Sequence, residues 1–235
     1  MIQGDWRSCP KCQGMHFAGF ANFKGVCPAG GQHEQTNSFA YSIEFDSPNA
    51  ISTQSGWAAC PKCQGLHFAG FPNFKGVCPA GGQHEQTNSF AYSMPHDIPA
   101  TANFQSDFRS CKKCQGLFFG PFAGRCPAGG EHDSDGSFNY AMRLQPPAIS
   151  LRLIADQGRF VEVTGTNFTC NKQIMLTYSM TDQGEVNTHT SGTENTTSDA
   201  AGKFTFRIRV TLSSISFASV KATDVASGGE TTASI

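Results

Sequence analysis

The chain has 235 residues and a formal charge of −1, with 17 Lys and Arg against 18 Asp and Glu. The charges are balanced along its length. It therefore lacks the basic footprint of a nucleic-acid binder and the polybasic patch of a peripheral membrane protein. No run of 18 apolar residues occurs, so no membrane-spanning helix is expected.

The opening stretch, MIQGDWRSCPKCQ, has no charged segment followed by an apolar one, as a secretory leader would. The sequence alone predicts a chain that stays inside, leaves by another route, or is the mature form of something longer.

From Cys9 onward a segment repeats. CPKCQGMHFAGFANFKGVCPAGGQH (9–33) returns almost unchanged as CPKCQGLHFAGFPNFKGVCPAGGQH (60–84), and in shortened form as CKKCQGLFFGPFAGRCPAGGEH (111–132). Over residues 9–42 and 60–93 the first two copies differ only at Met15/Leu66 and Ala21/Pro72. The third copy keeps both cysteine clusters and the last histidine, but places Phe118 where the others have His16 and His67. The histidine after CxxC is thus dispensable, and the one after CPAGG is not.

The shared set is Cys9, Cys12, Cys27 and His33; Cys60, Cys63, Cys78 and His84; and Cys111, Cys114, Cys126 and His132. Two close pairs of soft or borderline ligands suit a tetrahedral Cys3His zinc site. CxxC forms one knuckle. In the other, proline and the glycine pair let the chain turn back to bring histidine near cysteine. The length change falls between the knuckles, where it need not move a ligand. Disulfides are the alternative, but three cysteines per copy leave one unpaired, and recruiting Cys170 would require pairing between copies. Equivalent copies should use equivalent chemistry. Three structural Zn2+ ions are therefore expected, each supplying folding energy that a unit of this size lacks.

Catalytic motifs fail one by one. HEQTN at His33 has Asn37 where a metalloprotease needs its second histidine. The H-x-E and P-C-x-x-C of zinc deaminases are missing. A Cys27–His33 nucleophile pair would need a thiolate free of metal. The expectation is a protein that is not an enzyme. The aromatic residues between the ligands either form a small core or stack on a ligand such as a sugar ring; Phe20, Phe23, Phe71, Phe74 and Phe122 are the candidates for stacking.

The segments 43–56 and 94–106 read as linkers, leaving repeats at 1–45, 52–96 and 103–145. Two arrangements stay open: independent beads, or one body with pseudo-threefold symmetry. After RLQPPA (143–148) the pattern changes to alternating short stretches. Strands are expected at 149–155, 159–165, 173–180, 186–190, 203–211, 217–224 and 231–235, with SGTENTTSDAAG (191–202) as a turn. The fold class expected is all-β: three small zinc-stabilised β repeats, then an immunoglobulin-like β-sandwich over 149–235.

Residues 149–235 resemble the immunoglobulin-like domains of bacterial surface and exported proteins, through VEVTGTNFT, the DAAGKF turn and the closing ATD strand. The sequence departs from them at Cys170–Asn171, where Pro-Gly is common, and Cys170 reads as a lone small hydrophobe. The repeats resemble cysteine-rich repeats of bacterial exported multidomain proteins. These resemblances imply an extracellular or surface location. Together the observations predict a binding or adhesion protein whose multivalent surface meets a glycan or protein ligand. The alternative is a self-assembling structural subunit of an extracellular fibre or phage-tail-like injection apparatus. Neither a nucleic-acid partner nor a membrane span is expected.

Overall fold

The structure, a computed structural model, describes residues 1–47, 52–154, 159–181, 189–210 and 216–235. The chain forms two units, Met1–Gln145 and Pro146–Ile235. Among the described residues no helix is long and apolar enough to cross a membrane.

In the first unit each copy supplies three strands. Copy one has β1 (Ile2–Ser8), β2 (Met15–Phe17) and β3 (Tyr41–Phe45). Copy two has β4 (Thr53–Ala59), β5 (Leu66–Phe68) and β6 (Tyr92–Pro95). Copy three has β7 (Phe104–Ser110), β8 (Leu117–Phe119) and β9 (Tyr140–Leu144). The long first strand pairs antiparallel with both others, so Trp6 lies opposite Phe17 and Tyr41. Trp57 repeats this with Phe68 and Tyr92, and Phe108 with Phe119 and Tyr140.

The third strands join the copies head to tail. Phe45 pairs with Tyr92, His96 with Tyr140, and Leu144 with Tyr41. These are the same two repeat positions each time, and the third pairing returns to the first copy. A second ring closes around the CxxC knuckles, where His16 bridges Gly65, His67 bridges Gly116 and Phe118 bridges Gly14. The repeats are therefore one closed pseudo-threefold body and not beads on a string.

Closure follows from what a single copy cannot bury. Trp6, Trp57 and Phe108 share one core with Tyr41, Tyr92 and Tyr140, and with Met15, Leu66 and Leu117. Trp6 meets Tyr92 of the next copy edge-on at 5.3 Å, and Trp57 meets Tyr140 at 5.0 Å. Each large apolar side chain removed from water contributes about 1.5–3 kcal/mol, and here that burial needs all three copies. The tyrosine hydroxyls reach across in the opposite sense, Tyr41 to Gln105, Tyr92 to Gln3 and Tyr140 to Gln54.

The segments read as linkers are largely strand: Ile43–Phe45 complete β3, Thr53–Gly56 begin β4, and Phe104–Ser106 begin β7. Their polar composition reflects one exposed face, since Glu44 is exposed between buried Ile43 and Phe45. Residues 48–51 of the first linker lie outside the described residues.

In the second unit β10 (Ala148–Ile154) and β11 (Arg159–Thr166) precede β12 (Gln173–Thr181) and β13 (His189–Thr197). Then follow β14 (Phe204–Val210), β15 (Phe217–Asp224) and β16 (Glu230–Ser234). One sheet has the order β10-β11-β14 and the other β13-β12-β15-β16. Alternate residues bury Val161, Val163, Ile174, Leu176, Ile208, Val220 and Ala222 in one core, the period-two pattern of half-buried strands. The unit is all-β, as expected. One strand was misplaced: residues 191–197, read as a turn, belong to β13, which pairs residue for residue with β12 from Gln173↔Thr197 to Thr181↔His189. Its Ser, Thr and Gly composition hides the alternation, because β13 lies at a sheet edge with little apolar surface to bury. Residues 155, 186–188 and 211 of the expected strands lie outside the described residues.

Candidate metal centres

Each copy gathers its three cysteines and the later histidine into one group, with ligand atoms within 4.8 Å of one another. The groups are Cys9, Cys12, Cys27 and His33; Cys60, Cys63, Cys78 and His84; and Cys111, Cys114, Cys126 and His132. All are buried except His132, which is partly exposed.

The CxxC knuckle is built by the residue that follows it. Gln13 adopts a left-handed conformation (φ 62°), which costs a non-glycine residue about 1–2 kcal/mol. Its N–H donates to the Cys9 carbonyl at 2.7 Å, and its side-chain amide donates to Pro10 at 2.8 Å. Gln64 and Gln115 repeat the arrangement at φ 58° and 60°. In the second knuckle Gly30 and Gly31 take φ of 97° and 66°, allowing the Cys27 N–H to reach the Gly31 carbonyl at 2.9 Å. Lys11 fastens the two knuckles together, donating to the carbonyls of Gly30 (3.0 Å) and Gln32 (3.1 Å). Lys62 and Lys113 do the same. The sequence reading missed these lysines and glutamines; their recurrence in all three copies was the available signal.

The spacing within each group fits tetrahedral coordination. Cys9 Sγ lies 3.9 Å from Cys27 Sγ, and Cys12 Sγ lies 3.5 Å from His33 Nδ1. The corresponding distances are 3.9 and 3.4 Å in copy two, and 3.8 and 3.5 Å in copy three. Zn–S bonds of about 2.3 Å and Zn–N bonds of about 2.0–2.1 Å give tetrahedral edges of about 3.8 and 3.6 Å. A disulfide would require about 2.05 Å, and none of the ten cysteines is joined in a disulfide. The groups can hold metal ions and are compatible with zinc.

The electrostatics of the groups are compatible with a bound cation. Cys9 is held far below the usual thiol range by hydrogen bonds from Cys12 and Cys27, with a further contribution from the Glu34 N–H at 3.4 Å. Cys12 is pushed far up by Cys27 and Cys9 and by burial. Cys60 with Cys63 and Cys111 with Cys114 show the same split. Packed this closely, three sulfurs share protons among themselves. All three become thiolates together only around a positive ion.

His16 and His67 lie outside the ligand sets. His16 stacks on His33 at 4.6 Å and 14°, and His67 on His84 at 4.5 Å and 17°. Phe118 stacks on His132 in the same way, at 4.6 Å and 16°. A flat ring is what the position requires, and phenylalanine supplies one. Burial, then the neighbouring His33, holds His16 well below the ordinary imidazole range, and burial with His84 lowers His67 to about 3. Both are neutral packing residues. Cys170 is buried in the second unit, apart from the three groups.

The five candidate stacking residues are all exposed: Phe20, Phe23, Phe71, Phe74 and Phe122. They lie outside the shared core, which is made by residues of β1 to β9. Phe17 and Phe39 pack against that core.

Compared with known proteins, the chain matches no family model, no curated protein and no solved structure.

Proposed function

We infer that the protein is a non-enzymatic binding or adhesion protein in which three structural zinc ions rigidify a multivalent recognition body. The observation that carries this reading is the closed ring of three metal groups, each with four protein ligands, bearing exposed phenylalanines at equivalent places. Four protein ligands complete a zinc coordination sphere and leave no position for water or substrate. Triplication then multiplies a surface and not a reaction. Several weak contacts on one chain add avidity through effective concentration. A glycan or cell-surface ligand suits the aromatic display. The second unit, with seven strands in two antiparallel sheets among the described residues, reads as an immunoglobulin-like domain that presents the first.

The test is retention of the zinc-loaded chain on a glycan array, with Phe20→Ala/Phe71→Ala as the comparison. Retention that falls in the variant supports the reading. Sedimentation over a wide concentration range separates it from a fibre subunit: a monomer throughout supports the binder, and concentration-dependent polymers contradict it.

A further inference from the structure

The long loops between the second and third cysteines of copies one and two each face the next copy. Phe20 packs edge-on against Phe17 at 5.4 Å, and Lys24 Nζ donates to the carbonyls of Ala18 (2.6 Å) and Phe20 (2.8 Å). The loop is thus tied down while Phe20 and Phe23 remain 54% and 40% exposed. Across a groove of about 660 Å³ lie Gln64, Asn88 and Phe90 of copy two, with Asn22 beside the aromatic pair. Phe90 is itself fixed by stacking on Phe45 at 4.2 Å. Among the described residues no charged side chain lines this groove.

The next interface repeats the aromatic wall and the glutamine facing it, with a lysine in place of Pro61. Phe71 and Phe74 face Lys112 and Gln115 over a groove of about 500 Å³, and Phe71 packs edge-on against Phe68 at 5.3 Å. Lys112 is paired with Asp133 (3.2 Å) and Asp135 (2.9 Å), which compensate its charge. The third interface breaks the pattern. Its loop is three residues shorter, forms a single 3-10 turn at Gly120–Phe122, and offers Phe122 with no second aromatic before Cys126.

Rigid exposed aromatic faces on one wall, with carboxamides on the other and no cation left unpaired, match a neutral saccharide. Its C–H faces can stack on the rings while its hydroxyls pair with Asn and Gln. In the first groove a charged ligand would lose hydration without a countercharge, and at the second the one cation is already paired with two carboxylates. We propose that the first two interfaces are composite grooves for a neutral saccharide, each built from two repeats, so that the chain carries two such sites and not three. This rests on the reading of the repeats as a recognition surface and adds the ligand class, the site and its number.

The test is calorimetric titration of the full zinc-loaded chain with cellohexaose, chitohexaose and maltohexaose, using a hyaluronan hexasaccharide as the anionic comparison. At least one neutral hexasaccharide binds at two sites per chain. Phe20→Ala/Phe23→Ala reduces two sites to one, as does Phe71→Ala/Phe74→Ala, and Phe122→Ala leaves two. Phe90→Ala, in copy two, weakens the site lost with Phe20 and Phe23 by about tenfold, the scale of one aromatic contact. Each variant is checked for unchanged zinc content. Three sites, binding of the anionic sugar alone, or no binding of any neutral sugar overturns the proposal. Binding that survives every phenylalanine variant also overturns the grooves, yet leaves a multivalent binder standing. Retention on washed cell surfaces without hexasaccharide binding removes the ligand class alone.

Discussion

Gly25 of copy one lies directly against the carbonyl of Cys63 in copy two: a β-carbon built on Gly25 would sit 1.9 Å from that oxygen. Gly76 meets Cys114 in the same way at 1.9 Å, and Gly124 meets Cys12 at 2.2 Å, which closes the circle. Every CxxC knuckle therefore supports the loop of the preceding copy. Phe17, Phe68 and Phe119 reinforce the contact by donating their N–H groups to Gln64, Gln115 and Gln13.

Gly25→Ala should therefore destabilise the whole first unit by about 3 kcal/mol or more, combining a clash with backbone and a positive φ. Gly30→Ala is the matched comparison. It also has a positive φ (97°), but a β-carbon there meets nothing within 4 Å, so its cost should stay near 1 kcal/mol. Denaturant unfolding of both zinc-loaded variants checks this, and equal losses would contradict the described contact.

His16→Phe and His67→Phe should retain all three zinc ions and raise stability by about 1–3 kcal/mol each. In the folded chain the ring nitrogens of each histidine are buried, with at best one backbone partner, Gly14 for His16 and Gly65 for His67, a cost that phenylalanine removes, and Phe118 already occupies the third position. His33→Phe should instead lose a zinc ion. Metal analysis and unfolding curves distinguish these outcomes, and loss of zinc from His16→Phe would make His16 a ligand.

Chelation should unfold Met1–Gln145 in one step and leave Pro146–Ile235 folded. The shared core and the ring of contacts between copies mean that losing one centre removes support from its neighbour. Calorimetry with increasing chelator should show one cooperative loss. Three separable transitions would contradict the closed body, and simultaneous loss of both units would contradict the two-unit division.

In the second unit, Asp224 is buried and accepts from the Thr169 N–H (2.7 Å), the Thr169 hydroxyl (2.8 Å) and the Ala226 N–H (3.1 Å). Asp224→Ala strands those donors and should lower the stability of this unit by about 3 kcal/mol, with no change in zinc content. A thermal melt that follows each unit separately, with metal analysis alongside, tests both parts; an unchanged melt of the second unit or a loss of zinc would contradict them.

The metal groups were legible because ligand spacing is a local property. Cys9 with Cys12, and Cys27 with His33, are each set by a short turn, and comparison of the copies removed His16 from the set. Closure of the ring was not legible, since Phe45↔Tyr92 and Leu144↔Tyr41 join residues far apart in sequence. The exposed polar positions of those strands, such as Glu44, read as linker for that reason. β13 was misjudged for a related cause: an edge strand of Ser, Thr and Gly carries no apolar alternation to announce it. Nothing local to Gly25 points to Cys63, and the pairing becomes apparent once the copies are folded together.

The most direct measurement is native mass spectrometry of the untreated chain, followed by thiol counting after denaturation. The account predicts three zinc ions per chain and, once the metal is removed, ten thiols titrated without any reducing agent. A metal-free chain with its cysteines joined in disulfides would contradict it.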